Sequence, residues 1–189
     1  MNSNSPTRRR YFVAPLRLLH WLMALMILSM LFLGAGMVTS LTHRPWMMDL
    51  HRPLGIAILL LVVMRLAIRF KYGQPPLPAD LPRWQALAAH ASHGLLYLLM
   101  IALPLLGWGV VSAAGEPVNM FGGVILPPIA PADPVWYTVL RGAHGLLAWL
   151  LFATVLIHLA AALWHLWIRR DGVFASMAAL AVGKPDRVE

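Results

Sequence analysis

The sequence predicts an all-α membrane protein, a bundle of four transmembrane helices with both termini in the cytoplasm. Three observations carry that expectation. Of 189 residues, 60% are hydrophobic and only 12% charged, whereas about a quarter of a soluble domain is charged. Four apolar runs reach the roughly 20 residues that cross a bilayer core of about 30 Å. The basic residues also alternate by loop: twelve of the fifteen Lys and Arg fall on one side and three on the other, which places the rich side in the cytoplasm.

The first helix is expected at about 15–39. It follows "MNSNSPTRRRYFVA", the basic start of a signal peptide, but the apolar run lasts too long for one and has no clear small-residue cleavage site. It reads as a retained span. The second helix is expected at about 50–70, after the short connection "SLTHRPWMMD". Proline-rich "KYGQPPLPADLPR" then separates it from a third at about 84–111, where Pro104 predicts a kink. The fourth, at about 135–168, exceeds the span length and should tilt or extend beyond the bilayer. Before it, "SAAGEPVNMFGGVILPPIAPADP" reads as a folded-back loop whose apolar part lies on the membrane surface. A short amphipathic piece, "GVFASMAALA", follows it. Residues 1–189 thus form a single membrane domain.

The side assignment rests on Arg8, Arg9, Arg10, Arg17, Arg65, Arg69, Lys71, Arg83, Arg169, Arg170, Lys184 and Arg187 inside, and Arg44, Arg52 and Arg141 outside. The net charge of +8 therefore reports topology first, and nucleic-acid binding is not expected. There are no cysteines, which excludes disulfides, iron–sulfur clusters and thiolate zinc sites.

The informative residues are histidines within lipid-facing sequence, since a polar side chain at that depth is costly and points to function. His144 and His158 on the fourth helix are fourteen residues apart, about 21 Å along the axis. Fourteen steps of about 100° fall about 40° short of four turns, so both share a face at two depths. His51, at the outer start of the second helix, matches His144 in depth. His20, at the inner start of the first, matches His158. Two stacked imidazole pairs result, each bridging two helices.

Such a pair suits bis-histidine haem, whose macrocycle supplies the other four ligands. Zinc and copper usually recruit further protein ligands, and proton relays use carboxylates that these spans lack. Gly55 and Gly145 beside the ligands would leave room for a macrocycle. His90 and His93 share a face near the inner end of the third helix and could replace His20. His43 reads as an interfacial polar residue, the bland alternative for any one of the others. The tryptophans mostly fall at the interfaces where aromatic belts form; Trp149, near mid-membrane, is expected to pack in the core.

Four stretches together resemble the prokaryotic cytochrome b561 family: "LRLLHW", "HRPLGIAILLLVVMRLAIRFKYGQPPLP", "HASHGLLYLLMIALPLLGW" and "AHGLLAWLLFATVLIHLAAALWH". The resemblance covers roughly residues 10 to 180. It implies a four-helix protein of the bacterial inner membrane carrying two haem b groups. His20 and His158 would ligate the inner haem iron, His51 and His144 the outer. The family includes superoxide oxidase, an oxidoreductase that passes electrons from superoxide on the outer side to ubiquinone. A related branch supplies haem b subunits that serve a hydrogenase or dehydrogenase partner. A cofactor-free transporter or scaffold is the reading from another class.

On the superoxide reading, Arg44, Arg52 and Arg141 flank the outer ligands and would steer a small anion. They would equally pair with haem propionates. His165, His90 and His93 are the candidates for hydrogen-bonding or protonating ubiquinone.

Overall fold

A computed structural model describes residues 11–178. Arg8, Arg9, Arg10, Lys184 and Arg187 of the charge count, and the last residues of "GVFASMAALA", lie outside the described residues.

Four long helices dominate: α1 (Ala14–Thr39), α2 (Arg44–Tyr72), α3 (Arg83–Ala113) and α4 (Pro134–Trp164). All four are long and apolar enough to cross a membrane. Their ends follow local chemistry. Prolines occupy the first turns of α1, α2 and α4, where a missing N–H costs nothing. Asp133 caps α4 by accepting from the Val135 and Trp136 amides at 2.9 Å each. Gly73 closes α2 at φ 70°, a conformation that favours glycine.

The sequence expectation is corrected at the start of α2. That helix begins at Arg44, six residues before Leu50, because Pro45 suits a first turn and Trp46–Asp49 continue it. His51 therefore lies about two turns inside the helix rather than at its start. α3 runs through Pro104 as one helix. α4 continues into a π-helical turn, His165–Arg169, so the fourth apolar segment spans 36 residues, in keeping with its expected excess length. Arg170, at φ 53°, ends it. A six-residue helix, α5 (Val173–Ala178), folds back against the start of α1. The Phe12 amide donates to the Ser176 carbonyl at 3.1 Å, and Trp21 Nε1 donates to the Met177 carbonyl at 3.3 Å.

The α3–α4 loop holds a small antiparallel hairpin, β1 (Val118–Asn119) with β2 (Ile125–Leu126). It is pinned to α3: Trp108 Nε1 donates to the Pro127 carbonyl at 2.9 Å, and the Ile129 amide to Ser112 Oγ at 3.1 Å. Val124, Ile125 and Ile129 point outward, as a membrane-surface loop would require. Four antiparallel spans bring both ends of the described chain to one face of the bundle, here the terminal face; the hairpin lies on the opposite loop face.

Helices adjacent in sequence pack together: α1 on α2, α2 on α3, α3 on α4. α4 makes no comparable approach to α1 or α2 among the described residues. The buried core is Met23 and Ile27, Ile58 and Val62, Leu99, Met100 and Leu103, and Leu151. In every helix these residues fall at mid-span, so the core is an apolar plug between two polar levels. Trp149 is not part of it. It is 72% exposed and meets Phe152 edge-on at 5.9 Å. Five residues past His144 it is turned about 140° away from the histidine face.

Leu99 is 1% exposed and its neighbour Leu98 62%. Leu99→Ala is expected to destabilise the bundle by about 2–5 kcal/mol through lost contacts and a residual cavity. Leu98→Ala, which removes only surface facing lipid, is expected to change little. Denaturant or thermal unfolding in detergent measures both.

Candidate functional site

The mid-span core divides the polar residues into two groups. Toward the loop face, His51 of α2 and His144 of α4 approach with ring centroids 6.2 Å apart and planes inclined by 65°. Toward the terminal face, His20 of α1 and His158 of α4 stand at the same 6.2 Å, inclined by 71°. Each pair bridges two helices whose backbones do not approach closely. The two pairs matched by depth in the sequence thus lie together in space.

The separation is informative. Two imidazoles joined by a hydrogen bond of about 2.9 Å would have centroids roughly 5 Å apart. Two metal–nitrogen bonds of about 2 Å plus two ring half-widths come to roughly 6 Å. At 6.2 Å both pairs leave the width of one metal ion between the rings. A third imidazole, His93 of α3, lies only 5.3 Å from His158, which is direct contact without space for an intervening ion. Its Nδ1 is 2.7 Å from the Ala89 carbonyl of its own helix.

Other features fit a haem between each pair. His144 Nδ1 donates to the Leu103 carbonyl at 3.1 Å, the kind of bond that orients a ligating imidazole and leaves its other nitrogen for metal. Gly107, one turn beyond Leu103, makes this approach feasible: a Cβ there would lie 3.3 Å from His144 Cε1. Nδ1 of His51 is buried with no partner among the described residues, and a buried polar atom of that kind calls for one. Gly145 has open space beside it, whereas Gly55 packs near Met30 Cε at 3.6 Å. Gly55 thus serves helix packing, and Gly145 is an exposed residue of α4.

The remaining candidates are more dispersed. His90 is exposed and lines a cleft of about 560 Å³ with Val13, Tyr72, Gln74 and Leu77, apart from His93. His165 opens the π-helical turn, with Nδ1 2.6 Å from Asp171 Oδ2; Arg169 Nε meets the same carboxylate oxygen at 2.9 Å. Arg44 begins α2. Arg52 is paired, its Nη2 2.5 Å from Glu116 Oε2, and Arg141 donates to Tyr137 Oη at 2.9 Å. Glu116 thus offsets one of the three loop-face cations. Arg52 also lines a loop-face cleft of about 500 Å³ with Trp46, Asp49 and Asn119.

Sequence reasoning missed the arginines of the terminal-face group. Arg65 donates from Nε to Tyr97 Oη at 3.1 Å and from Nη1 to the Leu16 carbonyl at 2.9 Å, tying α2 to α3 and α1. Arg69 stacks over the Tyr97 ring at 5.5 Å and bonds Gln74. In sequence these arginines read only as topology markers. The available signal was their place at the inner end of a span, level with two histidines.

Comparisons with known proteins agree on one family. A family model described as prokaryotic cytochrome b561 matches residues 11–179. A probable superoxide oxidase, CybB, of Yersinia pestis is 32% identical over 161 residues, covering 84% of this chain and 90% of that protein. Cytochrome b561 homolog 2 of Escherichia coli (strain K12) is 34% identical over 163 residues, covering 84% and 86%. Cytochrome b561 homolog 1 of the same strain is 29% identical over 131 residues, covering 69% and 74%.

Gly107→Val would fill the space the His144 ring uses and is expected to lower the haem b content per purified chain. Gly34→Val, where a Cβ meets nothing within 4 Å, is expected to leave it unchanged. Pyridine haemochrome analysis reads both.

Proposed function

Because this chain belongs to the prokaryotic cytochrome b561 family, a family of membrane electron-transfer proteins that bind haem b, we propose that it is a di-haem superoxide:ubiquinone oxidoreductase of the bacterial inner membrane. The observation that carries the di-haem reading is the pair of 6.2 Å imidazole gaps, each between helices whose backbones do not approach closely. His51 and His144 are the ligands toward the loop face, His20 and His158 those toward the terminal face. The excess of basic residues at the terminal face assigns it to the cytoplasm, so the loop face is periplasmic.

Each superoxide loses one electron and leaves as O₂; two such electrons and two protons convert ubiquinone to ubiquinol. Haem held by these histidine pairs would supply electron transfer. The chain does the rest. Arg44, Arg52 and Arg141 raise the local concentration of a small anion near the periplasmic pair, by focusing of roughly 10–10³-fold in on-rate. The half-exposed arrangement of Arg52 with Glu116 weakens that field without cancelling it. The apolar plug of Ile27, Ile58, Val62 and Leu103 keeps water from the space between the two levels. At the cytoplasmic face, His90, His93 and His165 are the groups able to hydrogen-bond ubiquinone and pass protons to it; His165, held by Asp171 at 2.6 Å, is already part of a polar chain.

The similarity to a probable superoxide oxidase supports the choice of donor. The alternative is a haem b conduit between a partner dehydrogenase or hydrogenase and quinone, which the family name alone accommodates.

His20→Ala and His144→Ala are each expected to reduce haem from two per chain to one, with the other retained. A two-haem chain after both changes, or loss of the terminal-face haem in His93→Ala but not His20→Ala, would overturn the ligand assignment. Stopped-flow mixing with superoxide is expected to reduce the haems at a rate that falls as salt rises. Arg141→Gln is expected to slow that rate several-fold and flatten its salt dependence, while Glu116→Gln raises it. Reduction only in the presence of a partner subunit would favour the conduit.

A further inference from the structure

Arg17 lies three residues before His20 on α1, on nearly the same face. It is 5% exposed, the most deeply buried charged side chain among the described residues. Its Nε and Nη1 have no hydrogen-bond partner among the described residues. A guanidinium in this state is unfavourable by several kcal/mol unless an anion meets it.

The described chain offers Arg17 no such anion. Asp80 and Asp171 are engaged with Arg169 and His165. Asp133 caps α4, and Glu116 pairs with Arg52 on the far face. Asp49 lines the loop-face cleft. Arg65, 8% exposed, is the second buried cation of the group, and it too meets only neutral acceptors: the Tyr97 hydroxyl and the carbonyl of Leu16, the residue beside Arg17. Two buried cations thus lie toward the terminal face, Arg17 about one turn before His20 on α1, and no carboxylate of the described residues pairs with either.

We infer that Arg17, supported by Arg65, binds a carboxylate at the edge of the group held between His20 and His158, and that this carboxylate is a haem propionate. The inference rests on the haem reading above and adds a residue that positions the cofactor and sets its potential. A guanidinium presents several in-plane N–H donors that match carboxylate oxygens, and those on Nε and Nη1 of Arg17 are unpartnered among the described residues. Held within a bundle of low polarity, the cation also favours the reduced form of the haem, which carries one positive charge fewer.

Potentiometric titration tests this on the full chain with both haems bound. Arg17→Gln is expected to lower the midpoint of one haem and leave the other in place, and Arg17→Lys, which keeps the charge but not the planar guanidinium donors, to recover part of the shift. Both midpoints unchanged in Arg17→Gln overturns the inference. Should that variant not accumulate, solid-state NMR of the His144→Ala chain with haem ¹³C-labelled at its propionates and arginine ¹⁵N-labelled at its guanidinium decides the matter. Dipolar coupling between the two labels supports the inference. No coupling, or coupling of the guanidinium to lipid phosphorus instead, overturns it. A wild-type chain that purifies without haem refutes the cytochrome reading itself, which is a separate outcome.

Discussion

Polar groups inside an apolar bundle must be met by partners, and every feature of the site answers that demand. An imidazole or guanidinium taken from water and left alone costs several kcal/mol. The sequence nonetheless places three histidines and two arginines at one level of the bundle and two histidines at the other. The protein satisfies part of this internally, through the Leu103, Ala89 and Leu16 carbonyls and the Tyr97 hydroxyl. Among the described residues it leaves unmet, near the histidines, the gap within each imidazole pair, Nδ1 of His51 and Nε and Nη1 of Arg17. A planar, metal-centred group with anionic edges complements that set.

Helix packing follows the same constraint. A bundle without cofactor would close around its axis, with α4 seated on its neighbours. Here the α4 backbone approaches only α3 closely, and α4 meets α1 and α2 through side chains, Leu151 in the shared core and the two histidines at 6.2 Å. Small residues maintain the arrangement where space is tight. Gly107 lets the His144 ring reach a backbone carbonyl, and Gly109 lets Leu140 close to 3.1 Å of where a Cβ would stand. The aliphatic plug at mid-span then holds the two levels apart, so that each polar group is dealt with locally rather than by a continuous hydrophilic channel.

Charge is distributed unequally between the faces. The loop-face arginines are exposed or paired, as Arg141 with Tyr137 and Arg52 with Glu116, an arrangement suited to a field that acts on diffusing ions. Two of the terminal-face arginines, Arg17 and Arg65, are buried, an arrangement suited to holding something fixed. One residue type thus serves two physical purposes according to its depth, and a count of positive charges per loop does not separate them.

The number of spans, their order and the depth match of His20 with His158 and His51 with His144 were legible in the sequence, because hydropathy and the 3.6-residue period act within a single helix. The residues gained at the start of α2 were not, since Pro45 reads equally as a turn or as a first helical position until neighbours decide. Nor was the outward face of Trp149, or the closer approach of His93 than of His20 to His158, 5.3 Å against 6.2 Å. Those outcomes depend on how each helix is rotated about its axis and on which helices touch. Rotation and contact are properties of the assembled bundle: the burial of Arg17, the opening of Gly107 onto the Leu103 carbonyl and the separation of α4 from α1 exist only once all four spans are packed.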